Sequence, residues 1–270
     1  MIRLVILSVL ISCTIGASFK NDSSSFFNGR IVGGVAVTIQ DYPYQVSVQH
    51  YGSHMCGGSI LSSYFVLTAA DCTNDLVGTI LELLLKVFSV RVGSSYHNNG
   101  GTVFYIERIY QYPDYNSVLH YYDVSLLKLE KSLTPLMLAS PSTVKAIPLP
   151  SEGYQVPVGA MITVSGWGLL WEKGPIPSQL QSVDLPYIDH TTCQNAYYPA
   201  HVTDDMMCAG YLGGEGEKDA CQEDNGGPAV YNGVQVGIIS WGYDCADPDH
   251  PAVFADLTNI LIYKWITSII

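Results

Sequence analysis

From Tyr44 onward the chain runs in short apolar stretches that alternate with polar residues and stop at Gly, Asn or Ser. Residues 45–50 alternate, which predicts a strand. Further strands are predicted over 59–69, 89–92, 102–109 and 125–129, and, after Pro141, over 161–165, 181–187, 229–230, 234–240 and 253–255. Many short strands at this spacing imply an all-β sandwich or barrels. The C-terminus differs: Ile262, Trp265, Ile266 and Ile269 follow the i, i+3, i+4, i+7 rule and predict a docking helix. Residues 1–17 also stand apart. Arg3, an apolar run from Leu4 to Ile15 and the small Gly16 and Ala17 predict a secretory signal, because the run is too short to span a bilayer.

Composition narrows the class. With 48% hydrophobic and 13% charged residues among 270, a disordered chain is excluded, and the length fits one all-β domain of double-barrel size. Lys and Arg number 12 against 24 Asp and Glu, so the basic footprint of a nucleic-acid binder is lacking. Residues 18–30 are polar and Ser-rich and predict a propeptide ending at Arg30. Seven cysteines are present. Cys13 leaves with the signal, and Cys56, Cys72, Cys193, Cys208, Cys221 and Cys245 predict three disulfides, with 15 pairings open.

Five segments then coincide in order: Arg30-Ile31-Val32-Gly33-Gly34, Leu67 to Cys72, Asp123 to Leu127, Cys221 to Pro228 and Ser240-Trp241-Gly242. Together they resemble the trypsin-like serine protease family over nearly all of 31–270. The resemblance implies two antiparallel six-stranded β-barrels, about 31–142 and 143–258, with the C-terminal helix at about 259–270 and a cleft between the barrels. It implies the pairings Cys56–Cys72, Cys193–Cys208 and Cys221–Cys245. A narrower resemblance, carried by 164–168, 177–180 and 202–208, is to mite gut proteases of the group 3 allergen type and to inactivated paralogues from scabies mites. That likeness implies secretion into the gut and binding of host complement components.

Acyl transfer needs a nucleophile, a base, a group that orients the base and donors for the oxyanion. The resemblance puts the base at Asp71 where relatives have His, and the nucleophile at Asn225 where they have Ser. The orienting acid survives as Asp123 and its partner as Ser240. Glu223 replaces a Gly whose peptide N–H would help bind the oxyanion. A carboxylate is a weak base for an alcohol and an amide is no nucleophile of this kind, so the sequence predicts a protein that is not an enzyme and acts by binding. The alternative is a residual Arg/Lys endopeptidase. His120 is weighed as a substitute base, with no hydroxyl or thiol at 225 for it to activate.

The resemblance also implies a specificity pocket. Asp219 stands at its base, with Ser240 and Gly242 on its wall and Asp244 and Ala252 where Gly is usual. Cleavage behind Arg30 would free the Ile31 amine to pair with Asp224. The loop where some relatives bind calcium, 93–103, has no carboxylate, and no Cys/His spacing suggests zinc, so no metal or other cofactor is expected. The apolar 76–88 stretch is several residues longer than expected and is read as a candidate partner surface.

Overall fold

A computed structural model describes residues 33–74, 85–171, 173–213, 218–221 and 223–270. The segments read as signal and propeptide, together with Arg30 and Ile31, lie outside the described residues. A short strand, β1 (Val35–Ala36), leads into the first barrel, made by β2 (Gln45–His50), β3 (Ser53–Ile60), β4 (Phe65–Thr68), β5 (Phe88–Val92), β6 (Thr102–Gln111) and β7 (Ser125–Leu129). It closes in the order β2-β3-β4-β7-β6-β5, every pairing antiparallel. Closure leaves no free strand edge.

The second barrel uses β8 (Met161–Gly166), β9 (Gln181–Ile188), β10 (Met206–Ala209), β11 (Pro228–Tyr231), β12 (Val234–Trp241) and β13 (Ala252–Asp256). Its order is β9-β10-β13-β12-β11-β8, closed by β8 against β9, with β1 added outside β9. The two six-stranded barrels are the fold that the resemblance implies. Val66, Leu67, Val90, Leu126 and Leu127 fill the first, and Ile162, Val164, Leu185, Val236 and Phe254 the second, all fully buried. Polar side chains on the facing walls join the barrels: Ser59 Oγ donates to Gln235 Oε1 (2.6 Å) and Ser165 Oγ to Gln45 Oε1 (2.7 Å), each buried. Buried polar groups of this kind are tolerated where they find partners, as these oxygens do, while Gln45 Nε2 has none among the described residues.

Among the described residues there are three α-helices: α1 (Thr134–Ala139), α2 (His190–Tyr197) and α3 (Ile260–Thr267). In α3, Asn259 accepts from the N–H groups of Leu261 and Ile262 and so satisfies donors that a first turn leaves free. Ile262 and Ile266 are fully buried, and Trp265 lies 5.2 Å from the Tyr112 ring, so the predicted stripe is the docking face. Disulfides join Cys56 to Cys72, Cys193 to Cys208 and Cys221 to Cys245.

Two expectations change. The 59–69 run is two strands, not one. The chain reverses between them, with Leu61 N–H bonded to Phe65 O across Ser62 and Ser63, residues that favour turns. The apolar 76–88 stretch is described only from Leu85. There Phe88 is buried and Leu85 and Val87 pack on the barrel core, so this end of it folds inward and is not a free surface.

Candidate active site

The cleft is built by backbone first. Asp71 opens a single helical turn, 71–73, and its N–H donates to Asp123 Oδ1 (2.8 Å). Ser240 Oγ donates to Asp123 Oδ2 (2.5 Å). Asp123 is buried, and burial pushes its carboxyl up to about 6 even though these two bonds favour the charged form. The Asp71 carboxylate turns the other way. It is exposed, and its Oδ1 accepts from Tyr115 Oη (3.3 Å). Among the described residues its carboxylate makes no hydrogen bond to Asp123 or Asn225, and it is the peptide N–H of Asp71 that meets the Asp123 oxygen on that side.

Asn225 sits in the turn before β11. Its carbonyl accepts from Gly57 N–H of the first barrel (2.8 Å), and Gly226 N–H bonds to Ile239 O (2.8 Å). Gly57 has no room for a side chain: a Cβ there would lie 2.7 Å from Gly227 Cα. Gly226 has φ +83°, and a Cβ there would overlap Thr68 Oγ1. These close approaches fix the 223–227 turn in the cleft. The N–H groups of 224, 226 and 227 bond inward, whereas those of Glu223 and Asn225 have no backbone acceptor among the described residues. Glu223 holds φ +71°, a left-handed conformation that Gly adopts freely and other residues resist. Its Oε2 is shielded and has no partner among the described residues, and burial raises its carboxyl.

Asp224 is fully buried. Its oxygens accept from Gly168 N–H (2.7 Å) and Cys221 N–H (3.1 Å), and burial pushes its pKa up to about 7. A Cβ at Gly166 or Gly168 would overlap this carboxylate. A second buried acid, Asp219, accepts from Ala220 N–H (2.8 Å) and Ala246 N–H (2.9 Å) and is likewise raised to about 7 by burial.

Asp219 lines an open cavity of about 290 Å³. Ser240, Gly242, Asp244 and Ala252 line it too, as do Glu223, Asn225 and His120. The extra methyl of Ala252 and the acid at 244 therefore leave it open. Sequence reasoning gave no role to its aromatic side, where Trp241 packs against His120 (6.0 Å), Tyr197 (4.8 Å) and Tyr243 (6.5 Å). Trp241 directly follows Ser240, and that adjacency was the available signal. Sequence reasoning also passed over His54. Its Nδ1 is 2.8 Å from Ser47 Oγ, its ring packs against Trp167, and burial pushes its pKa to about 3, so it is neutral and engaged away from Asp123. Among the described residues no cluster of three or more His, Cys, Asp or Glu could hold a metal ion.

Comparison with known proteins places this geometry. The family described as Trypsin matches residues 31–266. Trypsin alpha-4 of Lucilia cuprina is 39% identical, covering 99% of this chain and 98% of its own. Trypsin delta of Drosophila melanogaster is 38% identical with 99% of each chain covered, and Hypodermin-A of Hypoderma lineatum 40% with 96% of each. These relatives give no support to the narrower mite resemblance or to the complement partner expected from it. They also overturn the expectation that the chain is not an enzyme, because whole-length relatives at this identity are named trypsins. With the fold, the pocket and a match over 236 of its residues in agreement, the chain belongs to the trypsin family.

Proposed function

We propose that the chain is a secreted trypsin-family endopeptidase that recognises Arg or Lys and cleaves beside it slowly. The observation that carries this reading is Asp219. It is a buried carboxylate at an open cavity, held by two backbone donors with acceptor capacity to spare. A guanidinium or ammonium entering there gains a charge-assisted hydrogen bond in a shielded site. The peptide carbonyl beside that residue then lies toward the unengaged N–H groups of Glu223 and Asn225. Water adds to the carbonyl carbon, the C–N bond breaks, and the amine leaves with a proton. Asp71, at the base position, is a weak acceptor for the proton of water. Binding and oxyanion donors alone leave roughly 10³–10⁴-fold over the uncatalysed reaction when the usual catalytic groups are removed. Secretion is supported by the signal-like 1–17 segment and by three disulfides, which persist in oxidising compartments. No helix among the described residues is long and apolar enough to cross a membrane.

The test uses the purified chain cleaved behind Arg30 with fluorogenic Arg, Lys and Ala peptides. Slow release from Arg and Lys substrates, blocked by p-aminobenzamidine and reduced about 10- to 100-fold in Asp219→Asn, is the expected result. Release that survives Asp219→Asn, or none above the spontaneous rate, would overturn the proposal.

A further inference from the structure

The cavity beside Asp219 is lined by two more acids, Glu223 and Asp244, and by no Lys or Arg among the described residues. The nearest base in sequence, Lys218, is turned onto the Tyr211 ring, 5.9 Å from its centre. One cation on Asp219 therefore leaves the lining acidic. The two walls differ. The 219–223 wall carries Asp219 at the base. The 240–246 wall runs from the base, where Ala246 N–H meets Asp219, out to Asp244 and Tyr243, and the Cys221–Cys245 disulfide ties the two together. Asp244 is exposed and accepts no hydrogen bond among the described residues, and Tyr243 is 51% exposed. The Trp241 and Tyr243 rings stand 6.5 Å apart at 61°; Trp241 is also packed by His120 and Tyr197, and Tyr243 by Tyr197 (5.1 Å) and His250 (4.6 Å), so the half-exposed Tyr243 ring, next to Asp244 in sequence, is the aromatic surface left at this lip. Trp241 Nε1 and Glu223 Oε2 are shielded polar atoms without partners among the described residues, so the lining is incomplete in its hydrogen bonding. Aromatic faces next to an acid are a seat for a cation.

We infer that this site takes polypeptides with two adjacent basic residues, the first charge on Asp219 and the second held at the mouth by Asp244 and the half-exposed ring of Tyr243. The inference rests on the Arg/Lys reading and adds the neighbouring residue to it. An exposed ion pair and a cation–aromatic contact contribute on the order of 1 kcal/mol together, which is about five- to tenfold in affinity.

The experiment is displacement of p-aminobenzamidine from the purified, Arg30-cleaved chain by three acylated dipeptide amides: Arg-Arg, Ala-Arg and Glu-Arg. The Arg-Arg amide is expected to displace the probe at about five- to tenfold lower concentration than Ala-Arg, with Glu-Arg weakest. Asp244→Asn is an exposed and conservative change, and it should bring the Arg-Arg to Ala-Arg ratio close to one. Tyr243→Ala, scored by the same ratio, should reduce it by about half. Equal displacement by Arg-Arg and Ala-Arg would overturn this inference and leave the Asp219 reading standing. A ratio that survives Asp244→Asn and falls in Glu223→Gln would overturn the seat named here. Failure of p-aminobenzamidine to bind at all would remove both readings.

Discussion

The two sides of the cleft hold their shape in the same way and differ in what they present. On the first-barrel side, Asp123 is held by a peptide N–H from Asp71 and, from the second barrel, by the Ser240 hydroxyl, while the residue at the base position points its carboxylate at Tyr115. On the second-barrel side, peptide N–H groups hold Asp219 and Asp224, and the cavity keeps an open volume of about 290 Å³. The frame on both sides is largely main chain. Gly57 N–H to Asn225 O and Gly168 N–H to Asp224 do not depend on which side chain stands at 71 or 225. Position is set by backbone hydrogen bonds and close glycine contacts. Reactivity is set by side chains that can be exchanged without disturbing them.

If that separation holds, putting back the reactive side chains should restore rate on an unaltered frame, and this is the largest effect expected. Loss of a triad nucleophile or base costs about 10⁶ in turnover, and the losses overlap because the groups act as a unit. Asn225→Ser alone should therefore raise kcat/KM for an Arg substrate by less than about tenfold. Asp71→His, Asn225→Ser and Glu223→Gly together should raise it by about 10³ or more, equivalent to roughly 4 kcal/mol of transition-state stabilisation. Steady-state kinetics on the cleaved chains decides it. A large gain from the single change would show that a base other than residue 71 already serves the site.

The comparison is sharpened by pH, because both sides bury acids. Asp123 is raised to about 6, and Asp219 and Asp224 to about 7, each mainly by burial. The folded chain therefore holds protons on these groups that the unfolded chain releases near pH 4. Stability from them is full below about pH 4 and is lost as pH rises through about 6 to 7. The uncleaved chain should melt several degrees higher at pH 5 than at pH 8 in calorimetry. Binding of p-aminobenzamidine should run the opposite way and tighten through about pH 7, because it needs Asp219 charged. Cleavage behind Arg30 should flatten the melting slope if the freed Ile31 amine seats on Asp224, since a cation there favours the charged acid. A slope unchanged by cleavage would place that amine elsewhere.

The sequence carried the architecture well, for definite reasons. The Ile262-Ile266 stripe reports its own burial, whereas the alternation over 45–50 marks a strand but not its exposure, since Gln45, Ser47 and Gln49 are buried as fully as Val46 and Val48; the ordered motifs located Asp123, Asp219, Asn225 and Ser240 in one cleft. The Ser62-Ser63 turn was hidden because apolar residues continue on both sides of it. Helix α2 begins at His190 with Asp189 as its cap, accepting from Thr192 N–H, but its polar sequence has no strong stripe to announce it. The direction of the Asp71 side chain was not legible either. It depends on Tyr115, which lies 44 residues away on a loop whose path no local pattern fixes. The class is carried by the whole-length likeness to trypsins and not by the side chains at 71 and 225.

The smallest effect expected concerns Glu223, where the two sides meet. A left-handed backbone costs a non-glycine residue roughly 1–2 kcal/mol, and the shielded Oε2 adds the penalty of an unpartnered buried polar atom, about 1–3 kcal/mol. Against this, a glycine makes the unfolded chain more flexible and so costs about 0.4–1 kcal/mol. The balance favours Glu223→Gly by on the order of 1 kcal/mol. For a chain of this size that is a rise of about 2–4 °C in melting temperature at constant pH. Glu223→Ala separates the two contributions, since it removes the carboxylate and keeps the strained backbone, and its melting point should fall between those of the parent and the glycine variant. A drop in both variants would mean that the Glu223 side chain contributes packing to the cleft that outweighs its strain, and that the turn before β11 is held by this residue as well as by the main-chain bonds around it.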